Sequence, residues 1–296
     1  MRILMIFVDG VGVGEKDPSK NPFAALPSRV FTDFLDAPNP KLTHGGVATR
    51  ADASLGVEGL PQSATGQTAL LTGVNAAAVL GKHLNGFPPA ALREILDRHS
   101  ILKTLSERGV RAAFINVFNP LFFEALAQGL PFRSSVTTTA NFAASLPFFG
   151  VEDLLARRAV YQDFTNRLLI EKGVEAPVFE PDEAGRILAH SAMRYDFCLY
   201  EYFQSDVTGH ARSTPRALDE VRKLDEFLLA ALDTFDLVND SIILTSDHGN
   251  LEDLSTAGHT ANPVPVLLWG PLTEDAPRIR SILDVTPLML ERFARA

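Results

Sequence analysis

The segment SIILTSDHGN, Ser241 to Asn250, constrains this chain more than any other stretch. Ile242, Ile243 and Leu244 form an unbroken aliphatic run between polar residues, the pattern of a strand buried on both faces of a mostly parallel sheet. The run stops at Asp247, His248 and Gly249, so a carboxylate and an imidazole stand at the carboxyl end of that strand, where open α/β sheets build their sites. Asp beside a neutral imidazole also suits Zn²⁺ or Mn²⁺. Alone, Ser-Asp-His-Gly after a strand reads as a turn closed by an Asx-type hydrogen bond. The rest of the chain has to decide between turn and site.

The same ending recurs. Ile3 to Val8 is an apolar run that ends in Asp9-Gly10, and the strand-like YDFCLYEYFQSD, Tyr195 to Asp206, ends in Asp206 with His210 four residues on. His259 follows His248 by eleven residues and precedes another apolar run, Val264 to Trp269. Helical periodicity separates these strands. Ala90 to Arg108 opens behind Pro88 and Pro89, and Pro215 to Phe235 carries Leu218, Val221, Leu224, Leu228, Leu229 and Leu232 on one face. Arg111 to Phe118 reads as a strand after the Gly109 stop, Gly45 to Pro61 as loop, and Leu283 to Phe293 as a closing helix. This alternation predicts an α/β fold, a three-layer sandwich with a mostly parallel sheet and helices on both faces. Residues 1–296 read as one domain. Only residues 132–182 break the rhythm, with helical patterns at Glu152 to Arg158 and Tyr161 to Lys172, and are expected to form a small insertion or lid.

Composition narrows the partners. A net charge of −9 offers no basic face for a nucleic-acid backbone. Cys198 is the single cysteine, so there is no disulfide framework or thiolate metal site, and a reducing compartment is expected. The first apolar run, Ile3 to Val8, is too short for a signal-peptide core or a membrane span. The expectation is a cytoplasmic protein that contacts neither nucleic acid nor membrane; the sequence sets no oligomeric state.

The stretch PQSATGQTALLTG adds a hydroxyl at a helix start. Ser63 or Thr65 could cap a helix that begins near Ala64. A hydroxyl there also faces free backbone amides and the positive end of the helix dipole, which favour a phosphate. To act as a nucleophile it would need a metal to lower its pKa. Three Asp residues at three strand ends, two of them joined by a nearby His and the last followed by a further His, are better explained by one dinuclear metal site than by separate turns.

The set VDG, QSATGQ, SDVTGH, SDHGN and GHTANPVPVLLWG, in this order, resembles the alkaline phosphatase superfamily of metalloenzymes, most closely the cofactor-independent phosphoglycerate mutase and phosphopentomutase branch. The resemblance covers nearly the whole chain outside the middle insertion. It implies two divalent ions, Zn or Mn, one held by Asp9, Ser63, Asp247 and His248 and the other by Asp206, His210 and His259. It also favours Ser63 over Thr65 as nucleophile, because the family places that hydroxyl three residues before a Gly, here Gly66. Two features depart from the branch. Gln67 stands where the family has a His four residues after the nucleophile, and the large substrate-gripping domain of the mutases is absent. Arg133, Arg157, Arg158 and Arg167 of the short insertion are scattered rather than arranged as a clamp. The expected activity is therefore metal-dependent hydrolysis of a small phosphoric ester through a phosphoserine. A phosphomutase is the alternative, and a catalytically silent metal-stabilised binding protein a third reading.

Overall fold

The computed structural model describes residues 1–130 and 133–294. Its strands are β1 (Ile3–Val8), β2 (Val47–Ala51), β3 (Ala112–Phe114), β4 (Asn116–Val117), β5 (Val160–Tyr161), β6 (Phe197–Tyr202), β7 (Ser241–Thr245) and β8 (Val264–Trp269). The helices before the middle of the chain are α1 (Pro22–Ala25), α2 (Ser63–Thr72), α3 (Ala76–Leu80), α4 (Ala90–His99), α5 (Ile101–Glu107) and α6 (Pro120–Ala127). After them come α7 (Val136–Ala143), α8 (Val151–Leu155), α9 (Arg167–Glu171), α10 (Pro181–Ala192), α11 (Gln204–Ala211), α12 (Thr214–Thr234) and α13 (Val285–Ala294).

Six strands form one open sheet in the order β2-β8-β7-β1-β6-β3. β3, β6, β1 and β7 run parallel, while β8 pairs antiparallel with both β7 and β2. β1 shows why the strands are apolar throughout. Leu4, Ile6 and Val8 enter the core on one face, and Ile3, Met5 and Phe7 enter the core on the other. Helices α10 and α12 cover the first face, and α2, α5, α7 and α13 the second. Burying one such side chain on either face stabilises the fold by about 1.5–3 kcal/mol. The mostly parallel three-layer α/β arrangement expected from the alternating pattern is what forms.

Several local boundaries differ. The stretch read as loop from Gly45 to Pro61 contains β2, whose Thr49 and Arg50 are half-buried on an edge strand and give no apolar run. The helix expected from Ala90 to Arg108 breaks at Ser100, whose extended backbone (ψ 142°) and side chain, accepting the Lys103 amide, start a new helix. The strand expected over Arg111 to Phe118 divides into β3, in the main sheet, and β4, which pairs with β5. Tyr161 to Lys172 is no continuous helix. Positive φ at Phe164 (40°) and Asn166 (66°) delays α9 to Arg167. The C-terminal helix starts at Val285, after a turn of 3₁₀ helix at Ile282–Asp284 capped by Ser281.

The region expected as an insertion or lid contributes to the cores on both faces of the sheet. Val136 and Ala140 join the core on one face, and Phe149, Leu154, Val160, Phe164 and Leu169 join the core on the other. Among the described residues no helix is long and apolar enough to cross a membrane.

Candidate metal centre

β1 and β7 are parallel neighbours with Phe7 opposite Thr245, so the residues just beyond them emerge side by side. Asp9 and Asp247 meet there, and the Gly10 amide lies 3.4 Å from Asp247 Oδ1. Gly10 has φ +70°, and a Cβ would come within 2.6 Å of Asp206 Oδ1, so only glycine permits this approach. β8 enters the sheet antiparallel, from the same edge, which puts the preceding loop and His259 beside the ends of β1 and β7. Asp206 is not at a strand end as expected. β6 stops at Tyr202, and Asp206 sits in the first turn of α11 with His210 in its last. The four-residue spacing is one helical turn, which holds His210 Nε2 3.3 Å from Asp206 Oδ2.

All seven residues implied by the resemblance come together. Asp9, Asp247 and His248 offer donor atoms within 4.8 Å of one another, and so do Asp206, His248 and His259. His210 joins through His259, Nε2 to Nε2 at 3.2 Å. His259 Nδ1 lies 2.8 Å from the Pro61 carbonyl, a bond that requires the proton on Nδ1 and leaves Nε2 with its lone pair toward the carboxylates. Ser63 is the first residue of α2, not its cap, since Gln62 takes that position without a side-chain bond. Ser63 Oγ lies 3.0 Å from His248 Nε2. Thr65 is turned away: its Oγ1 donates to the Gln62 carbonyl at 3.1 Å and accepts the Leu84 amide at 3.2 Å. Gly66 lets α2 lie against the β7 loop, because a Cβ there would stand 2.8 Å from the Asp247 carbonyl.

The electrostatics of this cluster are unbalanced. Asp247 is fully buried, and burial, then the neighbouring Asp9, push its carboxyl well above the usual range. Burial works to lower the His248 pKa, but Asp247 and Asp9 outweigh it and push the imidazole up to about 10. Asp9 Oδ1 and Asp247 Oδ2 are buried without a hydrogen-bond partner, although each lies near His248 Nε2, at 3.2 and 3.6 Å. Buried carboxylate oxygens left unpaired are costly, and a divalent cation would satisfy both. Burial also holds His259 below its ordinary pKa, in the neutral form that binds metals. The donor set therefore fits divalent ions.

Four further residues support the cluster, and the sequence reading gave none of them a role. Glu201, on β6, is buried beside the cluster, and burial raises its pKa to about 7 against the opposing bond from Thr137 Oγ1, at 2.6 Å. Gln67 donates to Asp9 Oδ2 at 3.1 Å. Asn250 Nδ2 donates to Asp206 Oδ1 at 2.7 Å, across a contact that Gly209 keeps open. Glu252 is 1% exposed and accepts the Gly12 amide (2.8 Å), the Asn250 amide (2.7 Å), the Thr260 hydroxyl and the Asn262 amide (3.1 Å). The only sequence signal for Glu252 was an acid two residues past the SDHGN segment.

A family model described as the metalloenzyme superfamily matches residues 155–295, which hold five of these seven residues. These residues match a metalloenzyme superfamily domain, and the fold of the chain is alkaline-phosphatase-like. By sequence this domain is similar to the 2,3-bisphosphoglycerate-independent phosphoglycerate mutase of Paracoccus denitrificans, 29% identical over 118 residues, 38% of this chain and 23% of that protein. The match thus spans less than a quarter of the relative. By structure it resembles a protein from Pyrococcus horikoshii, with TM-score 0.58 and 13% identity over 100% of this chain and 98% of that one. It also resembles the alkaline phosphatase of the Antarctic bacterium TAB5, with TM-score 0.52 and 14% identity over 98% and 97%. At these identities the structural likeness establishes the shared fold.

The fold opens a cleft of about 400 Å³ above the cluster, with Asp9, Ser63, Asp206 and Glu201 on its floor. Of the four arginines noted in the middle region, only Arg133 lines it. Arg157 pairs with Glu183 and Arg158 with Asp153, and Arg167 borders a separate cavity.

Proposed function

We propose that this protein is a phosphoric ester hydrolase that works with two divalent ions, Zn or Mn, and Ser63 as nucleophile. The observation that carries the reading is the convergence of Ser63 Oγ, at a helix N-terminus, with a buried His248 and two carboxylates that each leave an oxygen unpaired. On this reading Asp9, Ser63, Asp247 and His248 hold one ion, and Asp206, His210 and His259 the other. Bound ions would supply the positive charge that acidifies the Ser63 hydroxyl and neutralises phosphoryl oxygens. Ser63 Oγ displaces the alcohol of the ester in line, the P–O bond to that alcohol breaks, and the alcohol leaves with a proton. Water then attacks the phosphoserine, returning the Ser63 hydroxyl and releasing phosphate. Ser63 stands at the N-terminus of α2, where the helix dipole favours the charge of the transferred group.

The similarity to a phosphoglycerate mutase favours a second reading, in which the substrate itself recovers the phosphoryl group. A mutase has to exclude water for the life of its phosphoserine, which takes a closing element with many charged contacts. In this cleft Arg133 and Lys172 are the lining cations among the described residues, which supports water as acceptor. Incubating the metal-loaded protein with phosphosugars and phosphoglycerates and following ³¹P resonances separates the two. Free phosphate supports the hydrolase; conversion of one phosphate isomer to another without free phosphate would establish the mutase.

A further inference from the structure

Above the metal cluster the walls of the cleft are not built for a small polyanion. Phe87, from the loop before α4, Phe118, just past β4, and Phe203, at the end of β6, bring three phenyl rings from three segments to one cavity. Phe87 is 48% exposed, in a chain whose aromatic side chains otherwise mostly close the core. Phe118 is held in place from behind, 4.9 Å from Phe148 and 4.3 Å from Phe122 between ring centroids, so its wall is rigid. Gln162 and Asn119 add amide groups to the rim. The two cations sit at its edge: the Arg133 guanidinium lies 5.6 Å from the Phe87 ring centroid, and Lys172 Nζ is 3.4 Å from the Tyr161 hydroxyl.

Every heavy atom beyond the carbon chain of a phosphoglycerate belongs to a carboxylate, hydroxyl or phosphate. Seating such a molecule here would strip water from charged groups against phenyl faces, with two cations to compensate. A planar ring behaves oppositely. It removes the exposed Phe87 ring and the open parts of Phe118 and Phe203 from water and gains offset or edge contacts with them, while its phosphate reaches the floor.

Resting on the phosphoric ester reading above, we infer that the alcohol part of the substrate carries a planar aromatic ring, seated among Phe87, Phe118 and Phe203, with the amides of Gln162 and Asn119 at its edge. A nucleobase and a simple aryl group share this chemistry, and paired substrates separate them. Adenosine 5′-monophosphate and ribose 5-phosphate present the same primary phosphate ester with and without a base. Benzyl phosphate and cyclohexylmethyl phosphate do the same for an aryl ring, with leaving groups of similar acidity. With the metal-loaded enzyme, the ring-bearing member of at least one pair should show kcat/KM at least tenfold higher, and Phe87→Ala and Phe203→Ala should each narrow that ratio. A preference confined to the nucleotide pair assigns the ring as a nucleobase, and one confined to the benzyl pair assigns it as aryl. Equal kcat/KM within both pairs overturns the ring pocket while leaving phosphoric ester hydrolysis standing. No turnover of any of the four overturns both readings.

Discussion

Two groups of buried acids lie a few residues apart in this fold, and their hydrogen bonding differs completely. Glu252 collects four donors from three segments, the Gly12 loop after β1, Asn250 after β7 and the Thr260 to Asn262 stretch before β8, and leaves no buried oxygen unpaired. Asp9 and Asp247, on two of those same segments, each keep an oxygen without a partner. A carboxylate whose acceptor sites are filled by the chain is a joint: it fixes the spacing of the loops it ties. Carboxylates crowded together with unfilled sites are the part of the structure that protein atoms alone do not complete. The joint holds the incomplete cluster in shape.

The difference can be tested from its largest consequence downward. Ser63→Ala removes the hydroxyl that the cluster faces, and turnover of any accepted ester should fall by about 10³-fold or more while thermal unfolding is nearly unchanged. An equal loss in Thr65→Ala would move the nucleophile to Thr65. Glu252→Ala strands two buried amides and should lower stability by about 4 kcal/mol in urea titrations, with weaker metal retention at equal folded fraction. Asp247→Asn should act with the opposite sign in chelated protein, raising stability in urea titrations by about 1 kcal/mol because one of two crowded buried acids becomes a neutral amide. In metal-loaded protein the same change should lower stability, and wild-type protein should lose about 3 kcal/mol for each bound ion on chelation from ion levels a hundredfold above Kd. If both variants shift chelated protein in the same direction, the contrast between joint and centre is wrong.

Glu220 offers an intermediate case, away from the cluster. It bonds to the Tyr202 hydroxyl, and burial raises its pKa from 4.5 to about 7. The raised folded pKa means that its contribution is fully present below pH 4.5, where both states are protonated, and is lost as pH rises through about 7. Glu220→Gln should flatten that part of the stability profile by up to about 3 kcal/mol, read from urea midpoints between pH 4.5 and 7.5. The smallest effect belongs to Thr65→Ala, which loses the tie to Leu84 and should cost about 1 kcal/mol of stability with activity retained.

The apolar runs at β1, β6, β7 and β8 and the acids and imidazoles at or near their ends were legible in the sequence, because strands buried on both faces write themselves as continuous hydrophobic stretches. Ser63, Asp9, Asp206, His210, Asp247, His248 and His259 could be singled out on that pattern together with the motif resemblance. What no local pattern carries is set by pairing and burial. Val47–Ala51 is a strand only because β8 is there to pair with it, and Asp206 lies on a helix because α11 starts directly after β6. Thr65 and Ser63 are equivalent as hydroxyls near a helix start; the position of Leu84 and His248 in space decides which is tied down and which faces the cluster. Glu252 and Glu201 look like ordinary charged residues in one dimension. Their environments are assembled from residues as far as 240 positions away for Glu252 and from Thr137 and Asp9 for Glu201, so only tertiary structure turns one into a joint and raises the pKa of the other.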